Sequence, residues 1–444
     1  MRVIEVPFCF YPDPVGGTEV YVEALSRYLQ QQGVEVLIAA PGEVNQSYLY
    51  NQLRVRRYAI SSKVENLRQI YGEGDRQAVL EFSRILETEQ PDLLHLHAFT
   101  SGVSLGLVQA AKERKIPVVF TYHTPTVSCL RGTLMQWGTD ICDGKVDLKT
   151  CSQCTLQGLG LDRTSAKAIA SLSPQVGRWL GNLNLQGGAW TALRMTELVS
   201  LRHTVLHTLL SEVDHIVAVC DWVKHVLLVN HVPAKKITVI RQGLCHDLPE
   251  KAKSSQKYPQ ATLNIAFLGR LDPAKGIDIL IKALAAVPQL AVCLDIYGIS
   301  QASDTYLQEL QTMAAKDPRI TFKLPVPPEK VMSTLTNYDL LAVPSQCLET
   351  GPMVVLEAFA AGVPVIGSNL GGIAELVESE VNGILVEPNS VEDWSQAINR
   401  LCQDRQALMR LRAGIESPQK MAAVATHMQS IYRFASNWAL GNNV

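Results

Sequence analysis

The residues best suited to chemistry fall in a few short runs. In FLGRLDPAKGIDIL, residues 267–280, Arg270 and Lys275 stand five apart just past an apolar run that reads as a strand. Two cations beyond the carboxyl end of a parallel strand suit a diphosphate. A guanidinium fork takes two oxygens, and an ammonium acts as a point charge. In ETGPMVVLE, Glu349 precedes a helix and Glu357 lies inside it. Pro352 fits the first turn, where Met353 and Val354 present unclaimed N–H groups. A carboxylate accepts two hydrogen bonds from vicinal hydroxyls, so the pair suits sugar and ribose. Gly16 and Gly17 open an earlier helix; without Cβ atoms their N–H groups can approach an anion at a helix N-terminus. His123 in VVFTYHTP follows a strand, where an imidazole can donate a hydrogen bond or exchange a proton. Blander readings stand beside these: a solvated basic loop, a paired core carboxylate, a charge near a helix start, a tight turn, a structural histidine.

Three further groups are weaker. His95 and His97 alternate on one strand and share a face, with His97 nearer the strand end. His203 and His207 are one helical turn apart but lack the glutamate of a zinc-protease motif, and read as structural. Cys129, Cys142, Cys151 and Cys154 lie within 26 residues, the last two as C-x2-C. Reduced thiols at such spacing can form a four-cysteine zinc site that staples a loop-rich segment. Unrelated thiols are the alternative, since the intervals of 12 and 8 residues are not those of a zinc ribbon.

Positioning these groups requires a regular scaffold. Short apolar runs at 3–6, 34–39, 93–97, 118–122, 215–219 and 237–240 read as buried strands, with helical periodicity between them. The pattern restarts at 263–268, 291–297, 320–322, 340–343 and 364–368. Such alternation predicts α/β architecture, parallel strands with crossover helices. Residues 245–261 are polar, with two prolines, which is linker chemistry. The expected organisation is a Rossmann-like domain at 1–244 with an insertion at about 129–212, a linker at 245–261, a second Rossmann-like domain at 262–418, and a terminal helix at 419–444 packing back on the first domain.

Forty basic and 42 acidic residues leave a formal charge of −2, with no global electrostatic footprint for nucleic acid. Charged residues are 18% and apolar residues 47%, which argues against disorder. No uninterrupted run reads as a transmembrane helix, and MRVIEVP enters a core strand with no apolar leader. The expected location is cytoplasmic, with contact at the inner face of a membrane left open, and the cysteines are expected as thiols.

Across nearly the whole chain, PVGGTEVYVEALSRYLQQQGVEV, HLHAFTSG, TYHTP, FLGRLDPAKGIDILIKAL, the E-x7-E of Glu349 and Glu357, and LEAFAAGVPVIGSNLGGIAELVESEVNGILVEP resemble the retaining glycosyltransferases of family 4, group 1. The resemblance implies a GT-B fold, two Rossmann-like domains facing a central cleft. It implies a nucleotide-sugar donor, a UDP- or GDP-sugar, held mainly by the second domain. Arg270 and Lys275 would hold the diphosphate, Glu357 the ribose, and Glu349 the transferred sugar. Met353 and Val354 would add N–H donors, Gly17 would approach the diphosphate, and His123 would contact the sugar near the reacting centre. The acceptor would be a glycan, a lipid-linked glycan or a small molecule. Catalysis would need no metal cofactor, and no D-x-D occurs in the chain. Family members often have Phe-Gly where Gly351-Pro352 stands, and a glycine where Lys323-Leu324-Pro325 follows a strand; these departures bear on the sugar and the base. Competing expectations are an epimerase or phosphorylase of the same fold, and a non-catalytic sugar-binding homologue.

Overall fold

A computed structural model describes residues 1–13, 16–63, 66–183, 187–246, 262–299 and 305–441. Most of the segment read as a linker, 247–261, lies outside the described residues. The chain forms two compact units, Met1–Arg241 with Met421–Val444, and Gln242–Lys420.

The first unit is built on an eight-stranded sheet. Its strands are β1 (Arg2–Val6), β2 (Glu35–Gly42), β3 (Gln46–Tyr50), β4 (Leu53–Ala59), β5 (Leu93–Leu96) and β6 (Val118–Tyr122). A small separate hairpin, β7 (Met135–Gln136) and β8 (Asp140–Ile141), precedes β9 (His215–Ala218) and β10 (Ile237–Val239). The order is β10-β9-β6-β5-β1-β2-β4-β3, parallel except for the β3/β4 hairpin at one edge. Ile4, Val6, Leu94, Leu96, Phe120 and Ile216 form the core between sheet and helices. The sequence pattern missed β3 and β4. Their run, QSYLYNQLRVRRYA, is polar because β3 is an exposed edge and the β4 arginines are paired, Arg54 and Arg56 with Glu89. The hairpin turn uses Asn51 and Gln52, both left-handed, rather than the Asn-Gly that signals such turns.

The region at 129–212 holds the β7/β8 hairpin and helices Leu148–Gly158, Arg163–Ile169, Pro174–Gly181, Gly188–Leu193 and Met195–Glu212. The terminal helix Met421–Gly441 packs on the helix Gly17–Gln31, burying Val424, Ala425, Met428, Tyr432 and Ala435 at helical spacing.

The second unit has six parallel strands: β11 (Leu263–Arg270), β12 (Val292–Ile299), β13 (Ile320–Lys323), β14 (Leu340–Val343), β15 (Val365–Ser368) and β16 (Gly383–Val386). Their order is β13-β12-β11-β14-β15-β16. Strand order reverses between β11 and β14, the position where open α/β sheets bind ligands. No described helix is long and apolar enough to cross a membrane.

Candidate functional site

In the second unit, β11 and β14 are neighbours, and the segments leaving their carboxyl ends are tied together. Gln346 N–H donates to Ala274 O at 2.7 Å. Gly276, at φ +67°, comes so close to this second segment that a Cβ there would lie 2.0 Å from Pro344 O. Gly372 N–H donates to Glu349 O at 2.6 Å, and a Cβ on Gly372 would meet Gly351 N at 2.6 Å. Both glycines therefore permit a packing that holds Lys275 and Glu349 in one place.

There the two side chains pair. Lys275 Nζ donates to Glu349 Oε1 at 2.5 Å, and Ser345 Oγ donates to the same oxygen at 2.8 Å. The sequence reading gave them separate ligand roles; the structure couples them. Burial opposes the charge of Glu349, but Lys275, Ser345 and Arg270 outweigh it and hold the carboxyl below its ordinary value. Burial likewise opposes the Lys275 charge, and Glu349 outweighs it and raises the ammonium. The side chains keep 22% and 16% of their surface, so the pair faces solvent on one side. Arg270, at the end of β11, is exposed and forms no ion pair among the described residues.

The helix Met353–Ala360 begins one residue later than expected. Pro352 is its N-cap, at φ −66° and ψ 120°, rather than a first-turn residue. Met353 and Val354 occupy the first two helical positions, whose N–H groups have no intrahelical acceptor. Glu357 lies one turn in. Burial alone pushes its carboxyl up to about 7. No described side chain bonds to it, which leaves its oxygens available to a ligand.

In the first unit the sequence reading needs one correction. The Gly16 N–H is not available to an anion, because Glu19 Oε2 accepts it at 2.9 Å. A helix cap has taken that donor. Gly17 is the first residue of the helix, and its N–H remains in the orphan set.

His123 belongs to a buried chain of polar groups. Its Nε2 lies 3.0 Å from His97 Nδ1, and His97 Nε2 lies 2.6 Å from Glu5 Oε2. Tyr432 OH donates to Glu5 Oε1 at 2.8 Å and lies 2.7 Å from His95 Nδ1. His95 Nε2 is 2.7 Å from Thr121 Oγ1. Burial lowers His97 to about 4, and burial followed by His97 and His95 lowers His123 well below the usual imidazole range. Burial opposes the Glu5 charge, but His95 and His97 outweigh it and keep the carboxyl ionised. These states fix the protons. An ionised Glu5 only accepts, so His97 carries its proton on Nε2 and accepts at Nδ1. His123 must then donate from Nε2, leaving its Nδ1 an acceptor. The loop after His123 is held by Arg202, which donates to Thr126 O at 2.9 Å and Val127 O at 3.2 Å.

From sequence alone His97 stands below His123, and Glu5 and Tyr432 carry no functional signal strong enough to single them out. A lone acid within the apolar run RVIEV was the available signal for Glu5. Tyr432 gave none, since its partners are 337 and 427 residues away. Ser345 was also missed.

Residues 250–418 match the family model for glycosyl transferases group 1, and residues 15–143 match that for glycosyltransferase family 4, together about two thirds of the chain. The chain is thus similar to family 4 glycosyltransferases in its first part and to group 1 glycosyl transferases in its second. Among curated relatives, a D-inositol 3-phosphate glycosyltransferase of Corynebacterium aurimucosum is 30% identical over 46% of this chain and 53% of its own length. The enzyme of that name from Nocardia farcinica is 34% identical over 33% of this chain and 34% of its own. The chain thus spans about half the length, or less, of these relatives. Solved structures share the GT-B fold. Sucrose-phosphate synthase of Thermosynechococcus elongatus aligns over 98% of both chains, with a TM-score of 0.66 and 19% identity. Anabaena HepE in complex with UDP aligns over 97% of this chain and 99% of its own, with a TM-score of 0.62 and 17% identity. The family 4 model covers the helix start at Gly17, His97 and His123, the group 1 model covers the run from Arg270 to Glu357, and neither reaches the cysteines at 151 and 154.

Proposed function

We propose that this chain transfers a sugar from a nucleoside diphosphate sugar to a hydroxyl acceptor, with retention at the anomeric carbon. The observation that supports this most is the pairing of Lys275 with Glu349 beside Arg270, at the strand-order reversal of the second unit. In this reading Arg270 and Lys275 stabilise the charge that the departing diphosphate acquires. Met353 and Val354 N–H groups add donors at a helix N-terminus. Glu357 accepts from the ribose hydroxyls, and Glu349 orients the transferred sugar while holding Lys275. In the first unit, His123 and the Gly17 N–H are assigned to the transferred sugar and to phosphate. The bond from the anomeric carbon to the phosphate oxygen breaks, with its electrons going to the diphosphate. The acceptor oxygen bonds on the same face and loses its proton to the leaving phosphate. No metal has a role in this scheme.

A UDP-sugar is the preferred donor, because HepE is known with UDP and with UDP-glucose. An inositol phosphate is the first acceptor to assay, given the names of the relatives. Incubation of the donor with and without acceptors tests the reading. Transfer, with release of nucleoside diphosphate, is expected only when an acceptor is present; an epimerised donor formed without acceptor would overturn it. We further propose that the helix Pro174–Gly181 touches a membrane surface. Val176 and Trp179 are exposed, Trp179 by 62%, on a helix that also carries the cation Arg178. Co-sedimentation with anionic vesicles is expected, and loss of it in Trp179→Ala would support that face.

A further inference from the structure

The segment after His123 carries four thiols that the transfer scheme does not use. Cys129 follows the turn Pro125–Val127, and Cys142 follows the β7/β8 hairpin. Cys151 and Cys154 sit on one face of the helix Leu148–Gly158. All four are free thiols. They lie close enough to act on one another: Cys129, Cys142 and Cys154 on Cys151, Cys129 and Cys154 on Cys142, and Cys129 on Cys154.

Trp137 N–H donates to Cys154 Sγ at 3.3 Å, Cys142 N–H donates to Leu134 O at 3.0 Å, and Arg131 donates to Cys154 O at 3.1 Å. The segment from Cys129 to Asp147 is thereby tied to the helix that carries Cys151 and Cys154. It also buries little apolar surface: between Cys129 and Asp147 only Leu134 and Met135 are buried apolar side chains outside the cysteines. Leu134 and Trp137 both take left-handed backbone conformations. A segment this poor in core needs a covalent or metal staple.

We infer that Cys129, Cys142, Cys151 and Cys154 bind one structural zinc ion as four thiolates. Sulfur donors exclude magnesium and calcium, and a closed set of four leaves no position for substrate. Each thiol gives up its proton on binding. No three of the four sulfurs lie within 4.8 Å of one another, so they do not form the tetrahedron that Zn–S bonds of about 2.3 Å need. The one described trio of ligating atoms within 4.8 Å of one another is elsewhere, at Glu5, His95 and His97. There each imidazole nitrogen already has a protein partner. Binding would require the cysteine side chains to rotate toward one ion. The site would then fix the loop that leaves His123.

Elemental mass spectrometry of the purified full-length chain is expected to find one zinc per chain. That content should be lost in the double variant Cys151→Ser with Cys154→Ser, and kept in Cys293→Ser, which alters an exposed thiol. X-ray absorption at the zinc edge of the unaltered protein does not depend on the variants folding. It should show four sulfur neighbours at about 2.3 Å. Absence of zinc, iron in its place, nitrogen or oxygen neighbours, or zinc retained in the double variant would each overturn the inference.

Discussion

At Glu357 a single carboxylate has no hydrogen-bonding side chain among the described residues, and burial alone pushes it up to about 7. An ionised carboxylate accepts two hydrogen bonds from a diol, and a protonated one accepts less well. Nucleotide affinity is therefore expected to rise as pH rises through 7, by roughly tenfold between pH 6 and 8. Glu357→Gln should bind more weakly and flatten that profile; an equally steep profile in the variant would assign the effect elsewhere. The buried histidines act on stability in the same direction, so it too rises with pH. The folded His97 pKa is about 4, below its unfolded value of about 6.5, so the unfolded chain takes up the proton first as pH falls. The depressed Glu5 carboxyl adds loss in the same direction at lower pH. Melting temperature should fall progressively from about pH 6.5 to about pH 4. In His97→Gln the fall should be shallower over that window, read by calorimetry. Neither behaviour was legible in the sequence, since both depend on burial and on partners far along the chain. The residue types are legible from spacing at Arg270, Lys275, Glu349 and Glu357. The pairing of Lys275 with Glu349 is not, because it depends on how two segments 74 residues apart are packed.

Two segments leaving neighbouring strands, β11 and β14, create the charged pair, and glycine makes their approach feasible. Gly276→Ala puts a methyl group where Pro344 O stands and strains a left-handed position. The variant should lose about 1–3 kcal/mol of stability and at least tenfold in kcat/KM, although residue 276 bears no functional group. Thermal melts and turnover check this together; turnover like that of the unaltered protein would show that the two segments do not position the site. A capping side chain marks a helix start in the sequence itself. Ser390 caps the helix Val391–Gln403 by accepting from Asp393 N–H at 3.1 Å, as its position before an acidic first turn indicates. Pro352 shows the opposite case, since proline suits both the cap and the first turn. The missed strands have the same origin: β3 and β4 are polar because paired arginines and an exposed edge replace the apolar alternation that marks a strand.

At the scale of the molecule, the alternation of apolar runs and helical periods was enough to indicate two parallel α/β units, because buried parallel strands must be apolar on both faces. The return of the chain to its first unit is clearest at Tyr432, which closes the polar chain begun at Glu5 in the first strand. That contact joins residues 427 positions apart, beyond any local pattern. The central claim is that the second unit holds a nucleoside diphosphate sugar through Lys275 and its neighbours. Isothermal titration of the full chain with UDP-glucose, GDP-mannose and ADP-glucose tests it most directly, with Lys275→Ala alongside and circular dichroism to show that both are folded. The account predicts saturable binding of one nucleotide class by the unaltered chain and at least a tenfold weaker Kd in Lys275→Ala. Binding of none of the three, or an unchanged Kd in the folded variant, would contradict it.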